Sequence, residues 1–206
     1  MTLEALTNGA AEEPELRDRF IQTAQDETKR LSRLIHDLLD LGRLEAGITA
    51  LEQQTVKLKS LINRAVQAME TRMKSSSVGI HIDVADIELQ GDPERLLQAF
   101  LNVLDNAIKF SAPNSKVFIS AYKEGSQAVV KFSDRGLGIT DSDMPHIFEQ
   151  FYTADRSRKG SGTGLGLAIA RRIVEAHGGS ITATSNGTGK GATLTICLPL
   201  ESRSLV

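Results

Sequence analysis

Three short stretches carry residue types that could act together on one ligand. In LNVLDNAIKF, residues 101–110, a helix turning about 100° per residue gathers Asn102, Asn106 and Lys109 on one side. Leu97, Phe100, Leu101, Leu104 and Ile108 fall on the other. An amide carbonyl is a hard neutral oxygen able to ligate Mg²⁺, and an ammonium is a point charge suited to phosphate. The same residues also suit an ordinary solvated face. In VVKFSDRGLGI an alternating strand runs into Asp134, followed by Gly136 and Gly138. A carboxylate there can accept from a ligand amine while bare backbone admits a flat ring, although Asp and Gly also make turns. In GSGTGLGLAI, Gly160, Gly162, Gly164 and Gly166 stand at alternate positions before an amphipathic run. Amides at such a helix start form an anion site that no side chain blocks, and a flexible linker would not continue into such a helix. The stretch lacks the Lys-Ser/Thr ending of a P-loop, and neither a preceding strand nor a following acid makes it a dinucleotide fingerprint.

The elements that must position these groups can be read from periodicity. From Glu15 to Glu45 the chain holds no Pro and one Gly, and Phe20, Ala24, Leu31, Ile35, Leu38 and Leu41 form a narrow apolar stripe. This predicts one long helix needing a partner helix, opened by Pro14. After EAGIT the pattern changes. TVKL and GIHIDV read as strands flanking a helix from 58 to about 74, and IELQGD as a strand leading to a helix capped by Asp92 with Pro93 behind it. KVFISAYKEGSQAVVKFSD predicts a hairpin turning at 124–126; a helix over 165–177 is stopped by Gly178 and Gly179, and SITAT with ATLTICLPL predicts a second hairpin. The expected class is α+β, a two-layer sandwich with an antiparallel-rich sheet and helices on one face.

Composition excludes several classes. The 206 residues carry a formal charge of −2, no Trp and two Tyr, so a basic, aromatic nucleic-acid surface is not expected. Cys197, the one cysteine, sits in an alternating run as a small apolar residue. No apolar stretch approaches the roughly 20 residues that span a bilayer, and the N-terminus lacks a signal-peptide pattern, which leads to the expectation of a cytoplasmic chain.

LNVLDNAIKFS, DRGLGI, IFEQFYTADRSR, GTGLGLAIARRIVEAHGG and GKGATLTICLP, taken in order, closely resemble the asparagine, glycine-rich and phenylalanine boxes of the catalytic ATP-binding domain of sensor histidine kinases. That group also includes gyrase, HSP90-type chaperones and MutL. ETKRLSRLIHDLLDLGRLEAG resembles the second helix of the family's dimerization and phosphoacceptor hairpin. The resemblance implies a Bergerat-type ATPase sandwich over 52–201, preceded by a partial hairpin over 1–48. It implies ATP and Mg²⁺ as cofactors, with Asn106 as Mg²⁺ ligand, Asn102 one turn earlier, Lys109 at the phosphates and Phe110 beside it. Asp134 corresponds to the carboxylate that binds the adenine amino group, with Gly136, Gly138 and Ile139 along the base. Gly162, Thr163, Gly164, Leu165, Gly166 and Leu167 correspond to the loop under the triphosphate, and Thr193 to a threonine near the adenine. A lid over 139–161 is expected to be anchored by Phe148 and Phe151 on one helix face and to bring Arg158 to the phosphates. Thr153 stands where many members carry Arg.

Catalytic roles are implied for Asn102, Asn106, Lys109 and Arg158. Where gyrase-like members carry a water-activating Glu, this chain has Asn102, and an amide cannot serve as that base. ATP is therefore expected to be held for transfer to a histidine. The family's acceptor lies in a His-[Glu/Asp]-x-x-[Thr/Ser/Asn]-Pro context that His36, His81, His146 and His177 all lack, His177 suiting instead a cation at a helix end. The chain is thus expected to be a fragment starting downstream of its acceptor and unable to phosphorylate itself. Implied partners are a phosphoacceptor hairpin of its own or a sister chain, a response regulator receiver domain and, in the full-length protein, a second copy as homodimer; no nucleic acid is expected. An anti-sigma-type serine kinase and a non-catalytic nucleotide-sensing module are the alternatives, the first expected to carry Glu at 102.

Overall fold

The computed structural model describes residues 14–45, 51–154 and 163–201, and divides into two compact units, 1–40 and 41–206. In the first unit helix α1, Pro14–Glu45, is continuous as its periodicity predicts and runs across the division. Thr23 and Thr28 donate their hydroxyls to the carbonyls four residues back, both at 2.8 Å, which lets them sit within the helix without a competing turn. Leu31, Ile35 and Leu38 of the stripe are about half exposed.

The second unit is built on a five-stranded sheet of order β2-β4-β5-β7-β6, where β2 is Gly79–Val84, β4 Lys116–Glu124, β5 Gln127–Ser133, β6 Ser180–Ser185 and β7 Ala192–Pro199. Only β2 and β4 run parallel. Strict alternation turns Val117, Ile119, Ala121, Ala128, Val130, Phe132, Leu194, Ile196 and Leu198 to one buried face. Helices α2 (Leu58–Ala68), α4 (Pro93–Phe110) and α5 (Gly166–Ala176) cover that face, with Phe100 of α4 tilted 54° against Phe132 at 5.8 Å. In place of a single sheet, β1 (Gln54–Lys57) and β3 (Glu88–Gly91) pair with each other alone, antiparallel.

Two elements depart from their sequence reading. The helix expected over 58–74 is two helices, α2 and α3 (Glu70–Ser76), because the Met69 N–H bonds three residues back to Val66 O at 3.0 Å and its φ of −95° and ψ of 1° leave the helical basin. The apolar stripe of α4 is centred elsewhere: Leu96, Ala99, Phe100, Val103, Leu104, Ala107 and Ile108 are buried, while Leu97 and Leu101 lie half-buried at its margin.

The start of α4 is fixed by Asp92. Its Oδ1 accepts from the Glu94 and Arg95 N–H groups, both at 3.1 Å, its Oδ2 accepts from the Glu52 N–H at 3.1 Å, and Pro93 occupies the first helical position. At the end of α5, His177 is not the cation expected there. It is buried; Nδ1–H donates to Ile173 O at 2.7 Å and Nε2 accepts from the Asp92 N–H at 2.9 Å, an arrangement only a neutral ring can make. Burial holds its pKa below the usual imidazole range.

Asp92→Ala should lower the unfolding free energy by about 2 kcal/mol, since it orphans three buried or capping amides. Glu94→Ala removes only its exposed pair with Arg64 and should cost about 0.5 kcal/mol or less. Urea denaturation of both variants distinguishes them, and equal midpoints would remove the capping account.

Candidate functional site

Asp134 lies one residue beyond β5 and is 9% exposed. Its N–H donates to Ala192 O at 2.9 Å, and its Oδ1 accepts from the Gly136 N–H at 2.8 Å and the Ala192 N–H at 3.2 Å. Oδ2 has no hydrogen bond among the described residues. Burial pushes the carboxyl above the usual carboxylate range, and the backbone amides pull against it. The carboxylate therefore spends one oxygen on the fold and keeps one acceptor for something else.

The segment after Asp134 is fastened from both sides. The Leu137 N–H donates to Phe110 O at 3.1 Å, while Gly189 N–H reaches Leu137 O at 2.6 Å and Gly191 N–H reaches Gly136 O at 3.2 Å. Ile139 N–H donates to Ser185 Oγ at 3.0 Å, and Ser185 Oγ donates to Gly191 O at 2.7 Å. Here the glycines answer a demand of the chain itself. A β-carbon on Gly136 would overlap the Phe110 carbonyl, and one on Gly191 the Asp134 carbonyl. Gly191 also has φ +70°, which a side chain would strain. Asp134, Ser185, Lys190, Gly191, Ala192 and Thr193 line a pocket of about 100 Å³. Of these, the sequence reading had singled out Asp134 and Thr193; the Gly-Lys-Gly run before β7 was the available signal for the rest.

On α4, Asn102, Asn106 and Lys109 are half-buried along the expected face. The Lys109 ammonium lies 4.7 Å from the ring centre of Phe110, itself exposed at the helix end. Gly166 opens α5, and its side-chain position lies 3.7 to 3.8 Å from the Asn102 amide group. Two of the three stretches therefore meet there. Leu165 is fully buried, its N–H 3.3 Å from Thr163 Oγ1, and Leu167 is half-buried in the first turn. Gly164, at φ +72°, packs flat on the backbone of Phe151 and Tyr152. Gly162 and Arg158 lie outside the described residues.

Phe148 and Phe151 do not share a helix face. Residues 141–151 form consecutive turns bonded mostly three residues back, as in His146 N–H to Asp143 O and Glu149 N–H to His146 O. Phe148 is half-buried under the Arg171 guanidinium at 5.9 Å, whereas Phe151 is 55% exposed at φ +62°. The segment is tied instead by polar bonds: the Tyr152 hydroxyl donates to Asp143 Oδ1 at 2.6 Å, and Thr140 Oγ1 donates to Asp143 Oδ2 at 2.7 Å.

Thr193 lines the same pocket as Asp134. It pairs in register with Ser133 and donates its hydroxyl to Ser133 Oγ at 2.9 Å, on the opposite face of β7 from Ala192. Ala192, one residue earlier, is what abuts Asp134.

Residues 91–202 match the family model described as Histidine kinase-, DNA gyrase B-, and HSP90-like ATPase, and residues 1–47 match that of the His Kinase A (phospho-acceptor) domain. The chain is 34% identical over 190 residues to the circadian input-output histidine kinase CikA of Synechococcus elongatus, covering 89% of this chain and 25% of that protein. It is 34% identical over 203 residues to the sensor protein kinase WalK of Staphylococcus saprophyticus, covering 97% and 33% respectively. The chain thus spans a quarter to a third of these two relatives. Among solved structures, full-length ShkA in complex with AMPPNP superposes with a TM-score of 0.79 at 26% identity, over 92% of this chain and 40% of that one. The Acinetobacter baumannii histidine kinase AdeS, at 24% identity over 96% and 93%, shares the fold with a TM-score of 0.77. No helix among the described residues is long and apolar enough to cross a membrane. The chain belongs to the Histidine kinase-, DNA gyrase B-, and HSP90-like ATPase family, as a catalytic region of the sensor histidine kinase type.

Proposed function

We propose that residues 52–201 bind Mg·ATP between the polar face of α4, the Asp134 segment and the start of α5, and transfer its γ-phosphoryl group to a histidine on a phosphoacceptor hairpin, for relay to a response regulator receiver domain. The observation that carries this reading is the meeting of Gly166 with Asn102 on α4, whose end at Phe110 is bonded to the segment that follows Asp134 and its spare acceptor. Asp134 Oδ2 accepts from the exocyclic amine of adenine. The amides at the start of α5 face the phosphates, where the helix dipole favours anions. Asn102 and Asn106 offer neutral carbonyl oxygens of the kind that hold Mg²⁺ beside phosphate oxygens, so the donor set fits the ion, with Asn106 as the ligand. When bound, Mg²⁺ neutralises charge on the phosphates. Lys109 and Arg158 act on the same charge as cations.

In the transfer the bond from the γ-phosphorus to the bridging oxygen breaks, that oxygen leaves with ADP, and an imidazole nitrogen of the acceptor forms the new P–N bond. The amide at Asn102 gives water no base, so the γ-phosphoryl group is kept for the imidazole. The acceptor is not one of this chain's four histidines. His36 is exposed on α1 with Nδ1 2.8 Å from Ser32 O, His81 leans on Phe118 at 5.6 Å, His146 pairs with Glu149 at 2.8 Å, and His177 is buried in structural bonds. Residues 1–48 are read as part of the dimerization hairpin, and the full-length protein as a homodimer.

Two outcomes are expected. Wild-type protein should prefer ATP to ITP, whose base carries a carbonyl where adenine has its amine; Asp134→Asn should weaken ATP binding at least about tenfold and narrow the preference, because its amide can donate to that carbonyl. Calorimetry with both nucleotides reads this, and an unchanged ratio would remove Asp134 from the base. With radiolabelled ATP, the chain alone should take up no label, while an added hairpin carrying the acceptor motif should become labelled. Label on this chain would overturn the acceptor assignment.

A further inference from the structure

The two elements that meet at Asn102 are also joined at their far ends. His177, closing α5, accepts the Asp92 N–H at the cap of α4, and Asp92 in turn holds the first amides of α4. The ring is tightly seated: a β-carbon on Gly91 would come within 3.0 Å of His177 Cδ2 and 2.9 Å of Leu96 Cδ1. From Gly166 to this joint run the 11 residues of α5, about 16 Å of unbroken helix. Such a helix moves as a body, so its attachment at one end sets where its other end stands.

We propose that His177 is a positioning residue for the nucleotide site: its neutral imidazole fixes α5 to the cap of α4 and thereby holds Gly166 and the α5 amides against Asn102. This rests on the nucleotide reading above. If Nε2 were protonated, two donors would face each other across 2.9 Å, and the ends of α4 and α5 would have to part. The groups around the ring are few. From β3 and its junction with α4 come Gly91 and the Asp92 carboxylate, whose attraction for a protonated ring is outweighed by burial; from α4 comes Leu96. Glu94 on the same turn pairs with Arg64, Arg95 bonds to Gln98, and Arg171 and Arg172 on α5 both pair with Glu175, at 2.7 and 3.3 Å. Pro199 of β7 lies beyond Gly178. Since the folded ring titrates below its unfolded value, the neutral link persists at pH 7 and is lost as pH falls through the lowered value.

The test compares wild type with His177→Gln, which keeps an acceptor near the Nε2 position and carries no proton to gain. A fluorescent ATP analogue with Mg²⁺ is titrated from pH 7.5 downward until the NMR signals of the His177 ring show it charged. Taking the ratio of the two dissociation constants, wild type over variant, cancels the titration of the nucleotide and of Asp134. That ratio should stay near one at pH 7.5 and rise at least about threefold where the His177 ring is charged. In parallel, NMR of unliganded wild type should show the Asn102 side-chain and Gly166 backbone amides shifting with the titration of the His177 ring. A flat ratio, or Asn102 and Gly166 amides that ignore the His177 titration, would overturn the proposal. If neither protein binds nucleotide at pH 7.5, the nucleotide reading and the claimed effect on affinity fall together, and the unliganded spectra still decide whether the two helix ends are coupled.

Discussion

A buried carboxylate that must satisfy the fold and a ligand at once is the constraint on which the second unit turns. Asp134 Oδ1 holds the amides of Gly136 and Ala192 together, bringing the segment after β5 against the first residue of β7. A charge in that position is costly unless hydrogen-bonded. The two amides offset part of the cost, and a ligand amine on Oδ2 would offset more. This makes the site a store of unmet hydrogen bonding, which is what a specific purine pocket requires.

Around that carboxylate the backbone is packed so closely that side chains are excluded. Gly136 lies on Phe110 and Gly191 on Asp134, so the end of α4, the segment after β5 and the turn before β7 behave as one piece. The asparagine face belongs to that same α4, and α5 begins against it. The charged ends of a nucleotide and its base would therefore be gripped by parts whose relative placement is set by backbone contact, with little rearrangement needed on binding.

Much of this was legible in the chain. Asp92 and Pro93 mark a helix start by chemistry that acts within four residues, and the hairpin at Gly125 and the alternation of β7 are equally local. Spacing alone put the amides of α4 on one face and the glycines at the start of α5, while their role at a ligand came from the resemblance to the kinase family. Other features depend on partners distant in sequence. Gly136 read as open space for a ring or as a turn, yet it and Gly191 are demanded by backbone carbonyls elsewhere in the chain. His177 read as a cation suited to a helix end because its partner, Asp92, lies 85 residues away. The break at Met69 has no Gly or Pro to announce it, and the turns over 141–151 replaced a helix because Asp143 draws Thr140 and Tyr152 to itself. The serine-kinase alternative had no use for the long helix, and the phospho-acceptor match over 1–47 accounts for it.

The most direct measurement is a crystal structure of residues 52–201 soaked with AMPPNP and Mg²⁺. The account requires the adenine amine within hydrogen-bond distance of Asp134 Oδ2, the phosphates at the α5 amides, and the ion on the Asn106 carbonyl. A nucleotide seated elsewhere, or a base turned away with Asp134 Oδ2 still unbound, would contradict it.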